Sequence, residues 1–455
     1  MSDATHGPLA NTLKVIAKVE PAEIKAVVLS FIYFFFLMTS YFILRPLRDT
    51  MGTVYGVAHL QELFTGTFIV SFIVAPIYAG FASRIRLATF LPWVYGFIAL
   101  TMVIFYLLFQ YPVIFQLLFQ RVVNERWVAA SFFVWTSTFN LLTISVFWSL
   151  MADIYSRAQA KRLFGCIAAG GTVGTICAPA FTVLFVNSVG TNTLLLISAA
   201  GFAITAALVR MVEAEKRRLL ALGQEAQGTT LDHKLGGNPF DGFTLLFKSS
   251  YLLMIALFIL LMTTISTVIY FQLQDLITHE FATRAARTRA FATIDLATNS
   301  IAVVIQLFGT GRFIQRFGVT AGLLLNPIIM VIAFLAVAFS PVLMVLGTIQ
   351  VVRRFSEYAI AKPSRDMLFT VVDQQAKYKA KNVIDTVVYR FGDLTSAWLS
   401  AAVLPFGVAG LAVAGLVVSA IWFPIAYVLG RRYESARDDK VPVKVPVAPP
   451  AATPS

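Results

Sequence analysis

The chain has 455 residues, of which 58% are hydrophobic and only 13% are charged. A soluble domain carries about 25% charged residues and cannot bury so much apolar surface, so the composition excludes an ordinary soluble protein. The net charge of +13 raises the question of a nucleic-acid partner. The basic residues, however, lie in short segments between apolar stretches, which is the pattern of cytoplasmic loops in a membrane protein. We therefore expect no nucleic-acid partner.

Apolar stretches long enough to span a bilayer recur along the chain. Spanning the hydrocarbon takes about 20 apolar residues in a helix, and the runs 26–44, 87–109 and 407–430 meet that length. The strands of a barrel would instead alternate in polarity over segments of about ten residues, and this alternation is absent. Hydropathy predicts six spans before the polar stretch 213–248 and six after it. The predicted fold is an all-α membrane protein with twelve transmembrane helices in two six-helix bundles.

The basic segments alternate with the predicted spans, and the positive-inside rule then places both termini in the cytoplasm. We expect a multi-pass protein of the cell inner membrane that is surrounded by lipid and monomeric. The first polar residues lack the features of a cleavable signal, so the first apolar run is expected to be a retained helix. The predicted divisions are a cytoplasmic N-terminal segment (1–22), an N-terminal bundle (23–212), a cytoplasmic linker (213–247), a C-terminal bundle (248–432) and a disordered cytoplasmic tail (433–455).

Two fragments recur between the halves. Residues 153–161 align with 373–381, and residues 81–85 align with 313–317. The second half has a tight turn at Ser340-Pro341 where the first half has a longer connection, which accounts for the different shifts of the two matches. The segment 311–318 also resembles the G-x-x-x-D-R-x-G signature of the major facilitator superfamily, with Gln315 in place of Asp. In that superfamily the segment gates the cytoplasmic face, so Arg316 and its counterpart Arg84 are candidate gating residues.

Charged residues at membrane depth are the best guide to the solute, because each costs about 2.5–3.5 kcal/mol near a helix centre. The tenth predicted span carries Arg353, Arg354 and Glu357 near its middle, and the i, i+4 spacing also fits an internal ion pair between Arg353 and Glu357. The excess of arginine favours an anionic solute, since a guanidinium binds phosphate or carboxylate through two parallel hydrogen bonds.

Three other spans carry candidates of the same kind. At the end of the first span, snorkelling to the interface is the alternative to a role in binding. In the eighth span, a polar stripe lines either a cavity or a helix contact. Carboxylates in the eighth, tenth and eleventh spans are candidates for proton coupling, and Asp49 in the first span is a candidate for coupling or gating. The residues are Arg45, Arg48 and Asp49 in the first span, Asp295, Asn299 and Gln306 in the eighth, and Asp385, Arg390 and Asp393 in the eleventh.

The glycine-rich run 165–174 does not predict a phosphate-binding loop, because no strand precedes it and no Gly-Lys-Ser/Thr follows. Gly170 and Gly174 instead form a small-xxx-small pair that allows close helix packing. The sequence contains no metal-ligand spacing and no nucleophile with an adjacent base. We expect no enzyme activity, no metal and no cofactor.

Three stretches resemble the nucleotide transporter (ATP/ADP antiporter) family. The first is Tyr41-Phe-Ile-Leu-Arg45-Pro-Leu-Arg48-Asp49, which is similar to Y-x-I-L-R-x-x-K-D, and the second is Lys161-Arg-Leu-Phe-Gly165, which is similar to K-R-F-Y/F-G. The third runs from Glu357 to Asp393 and is similar to K-Y-S-L-F-D-P-T-K-E-M followed by D-x-x-x-K-x-K-G-K-A-A-I-D and R-x-G-K. The chain departs from this third pattern in charge, with Glu357, Lys362 and Asp393 where Lys, Asp and Lys are usual.

The resemblance implies a divergent bacterial transporter that moves a nucleotide such as ATP or ADP, or another phosphorylated anion, by alternating access. A proton-coupled symporter or exporter of a non-nucleotide anion or drug is one alternative. A non-transporting sensor or scaffold on the same fold is another. We expect Arg45, Arg48, Arg353, Arg354, Glu357 and Arg390 to bind the solute, and Lys161, Lys377 and Lys381 to attract anions at the cytoplasmic mouth.

Overall fold

The computed structural model describes residues 19–21, 23–82, 87–113, 116, 124–221, 241–372, 380–381 and 383–438. Over these residues the chain is helical and contains no strand, as the sequence predicts. The α-helices are α1 (Ile24–Tyr55), α2 (Leu60–Ala82), α3 (Leu87–Gln110), α4 (Glu125–Ile154), α5 (Arg157–Val189), α6 (Thr193–Ala221), α7 (Asp241–Lys248), α8 (Ser250–Glu280), α9 (Arg284–Phe308), α10 (Thr310–Phe339), α11 (Leu343–Ser356), α12 (Lys362–Met367), α13 (Tyr389–Val403) and α14 (Gly407–Asp438).

Ten stretches of the described chain are long and apolar enough to cross a membrane as continuous helices. They cover ten of the predicted spans, and the tenth and eleventh predicted spans are different. The tenth consists of α11, a π-helical segment at Glu357–Ala361 and α12, and the eleventh has a π-helical segment at Ile384–Val388 before α13. These two spans carry charges and lack one uninterrupted α-helix, so the count of twelve stays a prediction while the all-α membrane fold is confirmed.

One predicted helix end is wrong. The first helix does not end near Arg45, because α1 continues through Pro46 to Tyr55. Membrane helices tolerate an internal proline where neighbouring helices support them, and α1 packs against α4, α5 and α6. At the other end of the chain, α14 continues to Asp438, beyond the predicted end of the C-terminal bundle at residue 432.

The segment 311–318, which resembles the superfamily signature, is helical rather than an open loop. It lies in the first turns of α10, and the helix kinks at Gly318, where φ is +80°. A side chain there would be strained, and a Cβ atom would also lie 2.6 Å from the carboxylate of Glu434. The turn predicted at Ser340-Pro341 is confirmed, because α10 ends at Phe339 and α11 begins at Leu343.

The chain forms two compact units. Unit 1 comprises Met1–Tyr55, Ile69–Lys234 and Phe281–Leu296, and unit 2 comprises Gly56–Phe68, Leu235–Glu280 and Ala297–Ser455. These units differ from the predicted halves at residues 56–68 and 281–296. The predicted boundaries themselves, including the linker and the tail, stay a prediction, although α7 lies within the predicted linker.

Unit 1 is built around α1, which packs against α4, α5 and α6. The ring of Phe34 stacks on that of Phe147 with centroids 4.0 Å apart, and the hydroxyls of Tyr33 and Tyr95 are 2.8 Å apart. Gly170 and Gly174 of α5 allow the close approach to α1. A Cβ atom on Gly174 would lie 2.7 Å from the backbone carbonyl oxygen of Phe35, and one on Gly170 would overlap the carbonyl of Phe31. The predicted packing role of the glycine pair is confirmed.

Unit 2 is built around α8, which packs against α11, α13 and α14, and around the pair of α10 and α14. Small residues again set the spacing. A Cβ atom on Gly430 of α14 would lie 2.7 Å from the Cα atom of Thr320 in α10, and one on Gly392 of α13 would overlap the side chain of Thr263 in α8. The hydroxyl of Ser396 donates to that of Thr264 at 2.9 Å. These contacts hold α13, with its charged residues, against α8.

Replacing Gly174 by alanine is expected to destabilise the protein. The added methyl group meets a backbone carbonyl that cannot move independently of α1, and overpacking of this kind costs about 1–3 kcal/mol. Gly165 in the same helix is the matched control, because nothing lies within 4 Å of a Cβ atom there. Its replacement by alanine should be neutral or stabilise by about 0.5–1 kcal/mol. Thermal unfolding of the two variants in detergent measures the difference, and equal unfolding temperatures would contradict the packing role.

Candidate functional site

The charged residues of the first span lie inside α1 rather than at its end. Ten residues of helix follow Arg45, so snorkelling from the helix terminus does not explain its position. The Nε atom of Arg45 lies 3.8 Å from the carboxylate of Asp295, whose side chain is only 3% exposed. Arg48 donates to the neighbouring Asp49 through Nη2 at 2.6 Å and Nε at 3.0 Å, and its guanidinium lies over the ring of Phe133. Unit 1 therefore holds both arginines beside carboxylates.

A polar contact between α1 and α9 accompanies these pairs and was missed by the sequence analysis. The hydroxyls of Thr50 and Thr288 are 2.8 Å apart and buried. Arg287 donates to the hydroxyl of Thr53 at 3.1 Å and to the carbonyl of Phe281 at 2.8 Å. Sequence spacing could not reveal these bonds, because the threonines are separated by more than two hundred residues. They place the start of α9, with Asp295, against α1.

The first π-helical segment of unit 2 is stabilised by side chains that bind its backbone carbonyl groups. Gln306 donates to the carbonyl of Tyr358 at 3.2 Å, and Thr310 donates to that of Ala359 at 2.6 Å. Ser364 donates to the carbonyl of Ile360 at 2.8 Å. A π turn shifts the regular i→i−4 hydrogen bonds and is frequent at functional sites. The polar stripe of the eighth span was predicted to line either a cavity or a helix contact. At Gln306 it forms a helix contact.

Arg353 is the centre of a buried hydrogen-bond network immediately before this segment. Its Nη1 atom donates to the hydroxyl of Ser266 at 2.6 Å and to the carboxylate of Glu357 at 2.9 Å, and its Nε atom donates to Gln350 at 3.1 Å. The predicted i, i+4 pair is confirmed. Arg354 is also buried, with its guanidinium 5.8 Å from the ring centroid of Tyr358.

A second charged group surrounds the other π-helical segment. Arg390 lies 3.8 Å from Asp393, which confirms the predicted i, i+3 neighbours. Asp385 lies within electrostatic range of Arg365 and Lys381. Arg365 is only 9% exposed, and its Nη1 atom has a weak contact with the sulfur of Met262 at 3.9 Å. Arg365 lies within the family-like stretch from Glu357 to Asp393 but is not among the predicted binding residues.

The remaining predicted residues are less informative. Lys161 is exposed near the start of α5, and Arg316 is exposed with its guanidinium over the ring of Phe317. Lys381 donates to Asp366 at 2.7 Å, so this predicted mouth residue has an intramolecular partner. Arg84 and Lys377 lie outside the described residues. In the described ranges, no group of three or more His, Cys, Asp or Glu side chains could hold a metal ion.

The tenth and eleventh predicted spans carry more positive than negative charge. Among their described residues, 343–372 and 383–403 with Lys381, six side chains are basic and four are carboxylates. The basic residues are Arg353, Arg354, Lys362, Arg365, Lys381 and Arg390, and the carboxylates are Glu357, Asp366, Asp385 and Asp393. In unit 1, Arg45 and Arg48 lie beside Asp295 and Asp49, and Arg287 bonds to Thr53 of the same helix. The guanidinium groups of these two positively charged spans can bind an anion through hydrogen bonds.

The comparisons agree with this architecture. No family model matches the chain. The ADP,ATP carrier protein 1 of Chlamydia muridarum is 22% identical in an alignment that covers 96% of this chain and 94% of the carrier. Among solved structures, the nucleoside transporter NupG has a TM-score of 0.61 at 17% identity, over 91% of this chain and 99% of NupG. A bacterial homologue of the iron transporter ferroportin has a TM-score of 0.62 at 10% identity, over 90% and 98%.

These relatives are transporters rather than enzymes, as the sequence analysis expects. The structural similarity confirms the fold, and the sequence similarity confirms the resemblance at low identity over nearly the whole chain. The chain is therefore a multi-pass membrane transporter with the major facilitator fold and a divergent relative of the ADP,ATP carrier proteins.

Proposed function

We propose that the chain transports an anionic, phosphorylated solute, a nucleotide such as ATP or ADP, by alternating access across the inner membrane. The observation that carries this proposal is the positive excess of the tenth and eleventh predicted spans. Six basic groups and four carboxylates in two spans are expensive to hold in a membrane protein, and such residues persist where a function needs them. A solute that carries negative charge balances the excess when it binds.

Guanidinium groups suit a phosphorylated solute better than ammonium groups would, because they bind phosphate through two parallel hydrogen bonds. Four of the six basic residues in these spans are arginine. Three are buried, and two of these, Arg353 and Arg354, adjoin the π-helical segment at Glu357–Ala361. The names of the Chlamydia relatives, which are ADP,ATP carriers, support a nucleotide as the solute.

Within this proposal, Arg353 has two roles that its contacts suggest. Ser266, Gln350 and Glu357 hold its guanidinium in one orientation, so little side-chain entropy is lost when a solute binds. Glu357 also neutralises part of the charge before the solute arrives. A phosphate group that competes for the Nη atoms would weaken the bond to Glu357 and so link binding to a change in the π-helical segment.

The proposed activity predicts nucleotide exchange in proteoliposomes. Radiolabelled ATP should enter vesicles that contain the purified protein, and loading ADP inside should increase the uptake at least severalfold. Vesicles without protein provide the background, and an imposed pH gradient without internal nucleotide tests proton coupling. Uptake that follows the pH gradient and ignores internal ADP would support the alternative symporter. A folded protein in sealed vesicles that shows no flux under either condition would contradict transport of nucleotides.

Substitutions of the arginines test which residues bind the solute. Arg354→Gln is expected to raise the KM for the nucleotide about tenfold to a hundredfold, because a hydrogen bond to a charged group contributes about 1.5–3 kcal/mol. Arg312→Gln is the matched control, since Arg312 is an exposed arginine of the same unit whose guanidinium donates to the carbonyl of Phe308. Its KM should stay within about twofold of the unmodified protein. An unchanged KM in Arg354→Gln would remove this residue from the binding site.

The pair of Arg353 and Glu357 needs a double-mutant cycle, because loss of Arg353 alone leaves a carboxylate without its 2.9 Å partner. Arg353→Gln and Glu357→Gln are made separately and together, and KM and unfolding temperature are measured for each variant. If Arg353 binds the solute, the double variant should recover stability but keep a KM raised at least about tenfold. Recovery of both stability and KM would instead assign the pair to helix packing alone.

A further inference from the structure

Unit 2 contains a cavity of about 260 Å³ that is separate from the arginine network. It lies beside the turn after α10 and the start of α14, and its walls come from α8, α10, α11 and α14. The apolar walls include Leu276, Val337, Leu346 and Leu411, and the polar residues are Gln272 and Asp275. A volume below the range of about 300–1,000 Å³ typical of drug-sized ligands fits a small planar group rather than a whole metabolite.

Gln272 gives this cavity its chemistry. The residue is 3% exposed, and neither Nε2 nor Oε1 has a hydrogen-bond partner in the structure. Other glutamines of unit 2 use their amide groups, since Gln350 accepts from Arg353 and Gln306 donates to a backbone carbonyl. A buried amide without partners is costly, and such a group in a polar, roomy place is expected to bind water or a ligand. Gln272 therefore contributes to the cavity lining an amide group whose donor and acceptor are both unused.

The cavity is close to Arg353 along two helices. Gln272 follows Ser266, a partner of Arg353, by six residues of α8, and Leu346 precedes Arg353 by seven residues of α11. At a rise of 1.5 Å per residue these separations are about 9 Å and 10.5 Å along the helix axes. The ribose and first phosphates of a nucleotide bridge a distance of this order between the base and the outer phosphate groups.

We propose that this cavity binds the heteroaromatic base of the transported nucleotide, with Gln272 reading the edge of the base. This inference rests on the proposed function, because it takes the phosphate groups to lie at Arg353. A carboxamide can pair bidentately with adjacent donor and acceptor atoms of a base, as Asn and Gln do with adenine in nucleic-acid recognition. The leucine and valine side chains of the walls contact the faces of the ring, and Asp275 accepts from an exocyclic amine at the cavity rim.

The test separates the base from the phosphates by using two probes. Adenosine has the base without phosphate, and inorganic tripolyphosphate has phosphate without a base. Binding of each to the full-length protein in detergent is measured by the shift in unfolding temperature, and each is also tested as an inhibitor of ATP uptake in proteoliposomes. Gln272→Leu should raise the adenosine concentration needed for either effect about tenfold or more, because the pair of hydrogen bonds is lost. Its response to tripolyphosphate should change less than about twofold.

Two controls distinguish recognition from a structural role. Gln274→Leu removes another buried glutamine two residues away that does not line the cavity and donates to Tyr270. This variant should keep the adenosine response of the unmodified protein. Gln272→Leu itself should unfold, without ligand, at the same temperature as the unmodified protein or a higher one, because an unpaired buried amide has been replaced by an apolar group.

Each outcome has one meaning. An adenosine response that is equal in the unmodified protein and Gln272→Leu, or absent from the unmodified protein, overturns the base site, since the cavity then holds water only. Nucleotide uptake in the same vesicles leaves the proposed transport activity standing in that case. If nucleotide uptake is absent but adenosine binds in a manner that depends on Gln272, the transport proposal fails and the base site is supported.

Discussion

The hydrogen bonds of Arg353 are the interaction on which the arrangement of unit 2 depends. A guanidinium removed from water needs several acceptors, and in this unit they come from two helices, with Ser266 on α8 and Gln350 on α11, together with Glu357 in the π-helical segment. Satisfying one side chain therefore fixes α8 against α11 at a defined rotation. Ser356, which precedes Glu357, adds a contact to α10 by donating to Asn326 at 2.5 Å. The bonds of Arg353 and Ser356 together thus link three helices of the unit.

The π-helical segments explain how such charges fit into spans that must otherwise be regular. Glu357 begins the first segment, and its carboxylate reaches back one turn to Arg353. The wider turn leaves backbone carbonyl groups without the N–H donors that a regular helix provides. The side chains of Gln306, Thr310 and Ser364 donate hydrogen bonds to these carbonyl groups. A buried backbone carbonyl without a partner is costly, so these bonds stabilise the segment. Polar side chains of α9, α10 and α12 therefore stabilise the π-helical segment of the tenth span. This segment lies next to the arginines.

Sequence patterns predicted what depends on local spacing and missed what depends on distant partners. The two ion pairs at i, i+4 and i, i+3, the turn at Ser340-Pro341 and the glycine pair of α5 all follow from neighbours in the chain. The continuation of α1 through Pro46 did not, because it depends on the helices packed around α1, which hydropathy does not register. The π-helical segments could not be predicted from a periodicity of 3.6 residues, since they deviate from it. The bond between Gln306 and Tyr358 joins residues 52 positions apart, which local spacing does not reveal.

The charge departures from the ATP/ADP antiporter pattern acquire a physical explanation from these contacts. Two of them replace lysine by a carboxylate, and each new carboxylate lies beside an arginine, with Glu357 at 2.9 Å from Arg353 and Asp393 at 3.8 Å from Arg390. The third replaces aspartate by Lys362, which lies within electrostatic range of Asp385. Together they lower the net charge of the two spans by two relative to the pattern, yet the described residues keep six basic groups against four carboxylates. The departures therefore exchange which groups lie beside one another, while the positive excess of the two spans is retained.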